Sequence, residues 1–171
     1  MAYHHLAMAA ADMAAIHNFY ETILGFELVK VEIGPVPNGG WAKHFFYRMA
    51  GGDSCFIAFW ELHEVPGCEN MYTALSRAAG VPDQINHIAF NASDLENLRQ
   101  RKNAWQSAGL TVLEVDHNWC RSIYTKDPNG NMVEFCVTTG AFSAEDRDLA
   151  LKALTSNQVS HSEPPASVEI H

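Results

Sequence analysis

The sequence has little charge, no basic cluster and no long apolar run. Charged residues make up 18% of its 171 residues, whereas about 25% is typical of globular proteins. The net charge is −9, and an acidic chain without a basic run is a poor candidate for binding nucleic acid or an anionic membrane surface. A transmembrane helix needs about 18 or more consecutive apolar residues, which the chain lacks. We therefore expect neither nucleic-acid nor membrane partners.

Cysteine is also scarce, and no two cysteines have the CxxC spacing. This excludes a zinc ribbon and a thioredoxin-type redox motif. The N-terminal stretch has no cationic segment, so we expect no signal peptide. We expect free, buried thiols in a reducing cytosol rather than disulfides, and hence a cytoplasmic protein. The four cysteines are Cys55, Cys68, Cys120 and Cys136.

An internal repeat organises most of the chain. The tetrapeptide HLAM that begins at His5 recurs as HIAF at His87, 82 residues later. Each copy is followed seven residues on by an aspartate, Asp12 or Asp94, then by an amphipathic stretch that ends at a glycine. Such self-similarity indicates two copies of one supersecondary unit. Each copy reads as a strand, a helix and three further strands, which predicts an α+β fold built from two βαβββ modules.

Local signals set the expected boundaries of these modules. Asp12 is a suitable N-cap for the first helix, and the run Ser93-Asp94-Leu95-Glu96 reads as a capping box for the second. The C-terminal residues are polar with a Pro-Pro step, which favours disorder. The expected segments are a first module at 1–63, a linker at 64–84, a second module at 85–140, a C-terminal helix at 141–155 and a disordered tail at 156–171.

Strand alternation places two histidines and one glutamate on matching faces. His5 and His87 lie opposite the large apolar residues of their strands, and Glu134 lies opposite Val133 in the run NMVEFCV. A carboxylate in such a strand needs a partner, and a cation would be one. Each residue taken alone fits a structural role as well. Together, two imidazoles and one carboxylate form a facial triad, which suits a divalent first-row metal.

The chain resembles the vicinal oxygen chelate superfamily, which includes glyoxalase I, drug-resistance proteins and extradiol ring-cleaving dioxygenases. The resemblance covers about residues 3–140 and rests on the segments HLAMAAADM, FYETILGFEL, NHIAFNASDL and SIYTKDPNGNMVEF. It implies two βαβββ modules whose curved mixed sheets form a cup around a metal. Carried over by position, His5, His87 and Glu134 match the family's metal ligands. His4, the neighbour of His5, is the wrong match because it aligns with Asn86.

A second resemblance narrows the implied reaction. The segment from Asp116 to Tyr124 is similar to the one before the last turn in extradiol dioxygenases, where a histidine and a later tyrosine flank the substrate. It implies that His117 is the acid/base residue and that Tyr124 hydrogen-bonds the substrate. The family has a glycine where this chain has Asn118. A surface-loop histidine and a core tyrosine are the alternative roles for the pair.

The implied function is that of a metal-dependent, extradiol-type ring-cleaving dioxygenase acting on a catechol-like small molecule. Fe(II) is the expected metal, with Mn(II), Ni(II) or Zn(II) as alternatives. Glyoxalase-type members have a further glutamate ligand late in the first module, where this chain has Ala58, with Glu61 on the opposite face. An irregular strand end would bring Glu61 inward, so this role stays open. A metal-dependent lyase, isomerase or thiol transferase, or a non-catalytic small-molecule-binding protein, remains the alternative. We expect the chain to bind a small-molecule substrate and to form a homodimer.

Overall fold

The computed structural model describes residues 3–49, 55–158 and 161–171, and these form two compact units. The first unit comprises Met1–Ile88 together with Lys126–Val133. The second comprises Ala89–Thr125 together with Glu134–His171. The boundaries between the two units fall inside three strands of the second repeat. The turn before the last strand of that repeat belongs to the first unit.

Each repeat forms a βαβββ module, as the sequence predicted, so the α+β class is confirmed. The elements of the first module are β1 (His5–Ala9), α1 (Met13–His17), a π-helical segment (Asn18–Ile23), β2 (Glu27–Pro35), β3 (Trp41–Arg48) and β4 (Phe56–His63). The elements of the second are β5 (His87–Asn91), α3 (Leu95–Ser107), β6 (Leu113–Asp116), β7 (Cys120–Lys126) and β8 (Met132–Thr138). The short helix α2 (Leu75–Ala78) lies between the modules, and α4 (Ala144–Ala153) and β9 (Ser167–Ile170) follow them.

The two modules have the same strand order. The first sheet runs β1-β4-β3-β2, and the second runs β5-β8-β7-β6 with β9 added beside β6. In the first sheet β1 is parallel to β4, while the other neighbours are antiparallel. The shared order is the structural counterpart of the sequence repeat.

Aspartate caps begin both module helices. The Asp12 carboxylate accepts a hydrogen bond from the backbone N–H of Ala15 at 2.9 Å, and Asp94 accepts one from Asn97 at 2.7 Å. These bonds satisfy N–H groups that the first helical turn leaves unpaired. In the second helix the N-cap is therefore Asp94, one residue later than the predicted capping box beginning at Ser93.

One face of each sheet is packed beneath its helix. In the first unit Tyr20 lies against Phe59 of β4, with ring centroids 4.7 Å apart. In the second, Trp105 of α3 lies 5.6 Å from Phe135 of β8. Because strand residues alternate, the neighbours of Phe59 and Phe135 point to the opposite face. Glu134 therefore lies on the sheet face directed away from α3.

The turn between β7 and β8 is anchored to the first unit by buried polar groups. Tyr20 donates its hydroxyl proton to the buried Asp127 carboxylate at 3.0 Å, and the backbone N–H of Asn131 donates to the same group at 2.8 Å. Asn129 accepts from Ala11 N and donates to a backbone carbonyl of β1. The sequence DPNGN predicted a turn, and the structure shows that its polar residues also tie the turn to β1 and the helix beside it.

Removing the Asp127 carboxylate is expected to destabilise the protein by about 2–6 kcal/mol. Asp127→Ala leaves the Tyr20 hydroxyl and the Asn131 N–H without their acceptor, and each buried, unpaired donor costs about 1–3 kcal/mol. Asp127→Asn keeps an acceptor oxygen, and burial already raises the pKa of the Asp127 carboxyl, so this control should lose much less. Urea denaturation of both variants measures the difference, and equal losses would contradict the hydrogen-bond explanation.

Tyr47 makes the stability of the first unit sensitive to alkaline pH. The side chain is fully buried, and its hydroxyl lies 3.1 Å from Nδ1 of His17. Burial, with a smaller contribution from Glu21, raises the pKa of Tyr47 to about 12. In the unfolded chain an ordinary tyrosine loses its proton near pH 10.

Between pH 10 and 12 the unfolded chain therefore holds fewer protons than the folded one, so stability falls as the pH rises. One such group contributes about 1.4 kcal/mol per pH unit. Tyr47→Phe is expected to remove that part of the slope, while Tyr72→Phe, at a side chain 72% exposed, should not. Urea denaturation at half-unit steps from pH 9.5 to 12 gives the slopes, and equal slopes in both variants would refute this assignment.

The predicted disordered tail is wrong for its last residues. Ser167–Ile170 forms β9, which pairs antiparallel with β6. The backbone of His171 exchanges two hydrogen bonds with Val112, at 2.8 and 3.1 Å. The polar composition of the tail concealed this strand, because its backbone bonds cover the β6 edge and need no apolar side chains. No helix within the described residues has the length and apolarity to cross a membrane.

Candidate functional site

The first sheet has a face directed away from α1, which we call the histidine face. Strand register defines it, because residues paired across neighbouring strands share a face: His5 pairs with Phe56, Ala7 and Phe46 both pair with Ala58, and His44 pairs with Trp60. Aromatic side chains on this face thus surround the small side chains of Ala7 and Ala58. Sequence alternation predicted His5 with small neighbours here, and the register agrees.

His5 sits among other rings on the histidine face. Its ring centroid is 5.6 Å from that of Phe46 and 6.2 Å from that of His44. Its Nδ1 lies 2.8 Å from Nδ1 of His4, so one of the two nitrogens donates a proton to the other. His4 is thus a direct neighbour of the candidate ligand and influences which nitrogen of His5 is basic.

His87 begins β5 and has its tautomer set by the backbone. Its Nδ1 lies 3.0 Å from the carbonyl oxygen of Gln84. A carbonyl can only accept, so Nδ1 carries the proton and Nε2 is the basic nitrogen. This is the arrangement in which a metal-binding histidine is usually held, with the other ring N–H given to a carbonyl or carboxylate.

Glu134 is a buried carboxylate in the middle of β8, with only 5% of its surface exposed. It lies in the second unit, whereas His5 and His87 lie in the first. Its neighbour on the same face is Tyr124, and the two side chains are hydrogen-bonded. An acidic group in this position has the burial expected of a ligand rather than of a solvated edge residue.

His117 and Tyr124 are brought together by the hairpin of β6 and β7. His117 Nε2 lies 2.9 Å from the Tyr124 hydroxyl. Burial, followed by smaller contributions that include the Glu134 carboxylate, raises the pKa of Tyr124 well above its ordinary value. The phenol is therefore protonated at neutral pH and can donate. The structure thus brings His117 and Tyr124 into direct contact.

Asn118 lies in the loop before β7, at the position where the resemblance to extradiol dioxygenases implies a glycine. Its backbone φ is +72°, in the left-handed region that favours glycine and in which asparagine is the best tolerated ordinary residue. Its N–H donates to the Asp116 carboxylate at 3.0 Å, and the backbone N–H of His117 donates to the carbonyl of Cys120 at 2.9 Å. Asn118 thus adopts a backbone conformation that glycine also favours, in the turn that presents His117.

Glu61 is not on the histidine face. The register of β3 and β4 is continuous, and it places Glu61 opposite Lys43, whose ammonium is 2.8 Å from the carboxylate. Lys43 holds the pKa of Glu61 below its ordinary value. A cavity of about 440 Å³ lies at this end of the first unit, with Glu61, His63, Cys68 and Met71 in its lining. The strand thus has no irregularity that would direct Glu61 toward His5.

A separate cluster of acidic and histidine side chains lies beside the C-terminal strand. Within the described parts of the chain, Glu114, Glu169 and His171 are the group whose potential ligand atoms all fall within 4.8 Å of one another. However, Lys102 already contacts Glu114 at 2.7 Å and His171 does so at 3.0 Å. Lys102 and His171 thus already contact the Glu114 carboxylate, and these contacts connect the C-terminal strand to β6 and α3.

Two features of these sheets were missed by the sequence analysis. His44 is buried on the histidine face, within the aromatic run of β3, where no alternation of polar and apolar residues marks its direction. Cys120 and Cys136, on neighbouring strands of the second sheet, are hydrogen-bonded to each other. Burial, followed by this bond, raises the pKa of the Cys120 thiol to about 11. All four cysteines are free thiols.

A family comparison matches residues 2–135 to the Glyoxalase/Bleomycin resistance protein/Dioxygenase superfamily. Two curated proteins are each 25% identical to this chain. One is a probable trivalent organoarsenical cleaving enzyme of Bacillus subtilis, aligned over 86% of this chain and 88% of that protein. The other is a biphenyl-2,3-diol 1,2-dioxygenase of Rhodococcus globerulus, aligned over 85% of this chain and 66% of that protein.

Solved structures share the fold at low sequence identity. A glyoxylase/bleomycin resistance protein/dioxygenase domain from Frankia superposes with a TM-score of 0.63 at 13% identity, covering 81% of this chain and 98% of that one. The fosfomycin resistance protein FosX of Listeria monocytogenes gives a TM-score of 0.54 at 19% identity, covering 86% and 98%. A crystal structure of a FosX variant contains Mn(II) and 1S,2S-dihydroxypropylphosphonic acid.

Proposed function

Because the chain belongs to the Glyoxalase/Bleomycin resistance protein/Dioxygenase superfamily, we propose that it is an extradiol-type ring-cleaving dioxygenase for a catechol-like small molecule. Members of this superfamily typically bind a divalent metal and a small-molecule ligand. One of the two curated relatives above acts on a biphenyl diol. The observation that carries the proposal is the hydrogen bond between His117 and Tyr124, with Glu134 beside the tyrosine.

The metal would be held by His5, His87 and Glu134. The donor set fits a divalent cation on two observations: the Glu134 carboxylate is buried, and the backbone bond of His87 leaves Nε2 as its basic nitrogen. When bound, Fe(II) supplies positive charge that favours ionisation of a substrate hydroxyl, together with the redox chemistry that dioxygen requires. Mn(II), Ni(II) and Zn(II) suit the same donors, and metal analysis of the purified protein distinguishes them.

The residues of the second unit supply proton handling and orientation. Tyr124 keeps its proton at neutral pH, and its hydroxyl, which bonds Glu134 and His117 in the structure, would redirect that proton to an oxygen atom of the bound substrate. His117 Nε2, at 2.9 Å from that hydroxyl, is in position to take a proton from the substrate and later return it. The Glu134 carboxylate holds the Tyr124 ring on the same face of the sheet.

Oxygen uptake with catechols tests the proposal directly. The protein is loaded with Fe(II) under anaerobic conditions and then mixed with air-saturated buffer containing catechol or 2,3-dihydroxybiphenyl. We expect stoichiometric oxygen consumption and a yellow ring-opened product. Metal binding without oxygen uptake would indicate instead a lyase, isomerase or thiol transferase, and absence of metal after loading would favour a non-catalytic binding protein.

A second candidate function is cleavage of a trivalent organoarsenical. The contact between the thiols of Cys120 and Cys136 supports it. Trivalent arsenic binds thiols, and these two sulfurs contact each other in the same sheet as Glu134. A curated relative bears the name of such an enzyme. Titration with phenylarsine oxide, followed by mass spectrometry, tests it: one equivalent should bind wild type and fail to bind Cys120→Ser. Equal binding by both proteins would eliminate this candidate.

The proposal also includes a homodimer and a cytoplasmic location. Free cysteines at four positions agree with a reducing compartment. Light scattering coupled to size-exclusion chromatography measures the oligomeric state, for which we expect twice the chain mass of 19.0 kDa.

A further inference from the structure

His44 is a buried imidazole, with only 5% of its surface exposed. Among the residues that the structure describes, its Nε2 has no hydrogen-bond partner. A buried polar nitrogen left unpaired costs about 1–3 kcal/mol. A phenylalanine at this position would pack as well without that cost, so packing alone does not account for a histidine.

The surroundings of His44 resemble a site for an aromatic ligand. Its ring lies flat against Trp60, with centroids 3.7 Å apart and an interplanar angle of 11°. Phe46 lies 4.1 Å away and His5 lies 6.2 Å away. Ala58, on the same face, contributes only a methyl group and is fully buried. A flat, partly polar ligand on this face would meet ring surfaces and one unpaired nitrogen.

Access to His44 Nε2 depends on the neighbouring aromatic side chains. Trp60 is 37% exposed, so it is packed on one side only. Exposed side chains change rotamer in nanoseconds or less. A shift of Trp60 across the His44 ring would admit a ligand atom to the nitrogen.

We propose that His44 is a ligand-binding residue of the histidine face, whose Nε2 forms a hydrogen bond with a hydroxyl group of an aromatic ligand that packs against Trp60 and Phe46. The inference deepens the proposed function by assigning the first unit a role in recognising the hydroxylated ring. It rests on that function for the choice of ligand class, and on geometry for the residue. It requires no metal, because the contact is between the protein and the ligand.

Binding measurements with matched ligands and variants test this role. Catechol and 1,2-dimethoxybenzene have the same ring, but only catechol can donate hydrogen bonds. Isothermal titration under anaerobic conditions is performed on wild type, on His44→Phe and on the control His63→Phe. His63 is a suitable control because it also stacks on a tryptophan, Trp41, at 3.9 Å, but lies on the opposite face of the sheet.

We expect His44→Phe to weaken catechol binding about tenfold, corresponding to one lost hydrogen bond, and to leave 1,2-dimethoxybenzene binding within twofold of wild type. His63→Phe should bind both ligands as wild type does. A role in packing alone would change the melting temperature of His44→Phe without changing the ratio of the two affinities. An unchanged ratio would overturn the inference, as would a wild-type protein that binds neither ligand.

Failure of the proposed function gives a different result. If the enzyme does not consume oxygen but catechol binding still depends on His44, the dioxygenase assignment is wrong and the binding role stands. If oxygen is consumed and His44→Phe binds catechol normally, the binding role is wrong and the dioxygenase assignment stands.

Discussion

Glu134→Ala is expected to lose its bound metal and, with it, all oxygen uptake. The substitution removes the carboxylate of the proposed donor set, whose negative charge balances half that of a divalent ion. Outer-shell partners of a metal site are themselves worth about 10- to 100-fold in affinity, so losing a ligand should cost at least about 100-fold. Metal content after gel filtration, measured by plasma mass spectrometry, gives the result alongside a circular dichroism spectrum that reports folding.

His87→Ala should behave in the same way, since it removes a nitrogen donor from the other unit. Glu163→Ala is the matched control, because it deletes an exposed glutamate of the C-terminal segment and should retain full metal. Full occupancy in folded Glu134→Ala and His87→Ala would reject the proposed ligand set. It would leave the hydrogen-bonded pair of His117 and Tyr124 without a metal-dependent role.

Much of the fold follows from the repeat alone. The matching positions of Asp12 and Asp94 predict where the two module helices begin, and both carboxylates accept the expected backbone hydrogen bonds. Gly25 has a φ of +76° and Gly109 one of +78°, the left-handed conformation that ends a helix. These signals are local, so they can be read without knowing what packs against what.

Features that depend on backbone pairing were not predictable in the same way. The strand formed by Ser167–Ile170 is held by backbone bonds to β6, and backbone groups are present in every sequence. The π-helical segment Asn18–Ile23 continues directly from α1. Its spacing of apolar residues does not distinguish a π-helix from an α-helix. The partners of Asp127 and Asn129 were likewise invisible, because both residues read as ordinary turn formers.

The candidate site shows the same division between local and long-range information. Parity within one strand placed Glu134 on the face opposite Phe135, and the contact of Phe135 with Trp105 of α3 identifies the face that packs against the helix. It could not place His44, because WAKHFFYR has aromatic residues on both faces and only the register with Trp60 assigns a direction. The sequence suggested His117 and Tyr124 only through the resemblance to extradiol dioxygenases, and the 2.9 Å contact between them is a finding of the structure.

This contact leads to the second large effect, a loss of turnover in His117→Gln. Glutamine can keep a hydrogen bond to the Tyr124 hydroxyl but cannot exchange a proton with the substrate. General acid–base catalysis contributes about 10²- to 10⁴-fold to rates, so we expect kcat for oxygen uptake to fall by that factor. Metal content and catechol affinity should remain at wild-type values, since His117 is not among the proposed ligands.

Steady-state oxygen electrode measurements on His117→Gln, Tyr124→Phe and the control His161→Gln separate the two roles. Tyr124→Phe removes the donor to the substrate oxygen and should raise KM as well as lower kcat, whereas His117→Gln should lower kcat alone. His161→Gln changes an exposed histidine far along the chain from β8 and should match wild type. If His117→Gln retains kcat within threefold, proton transfer does not pass through His117, and the 2.9 Å contact serves only to hold Tyr124 in place.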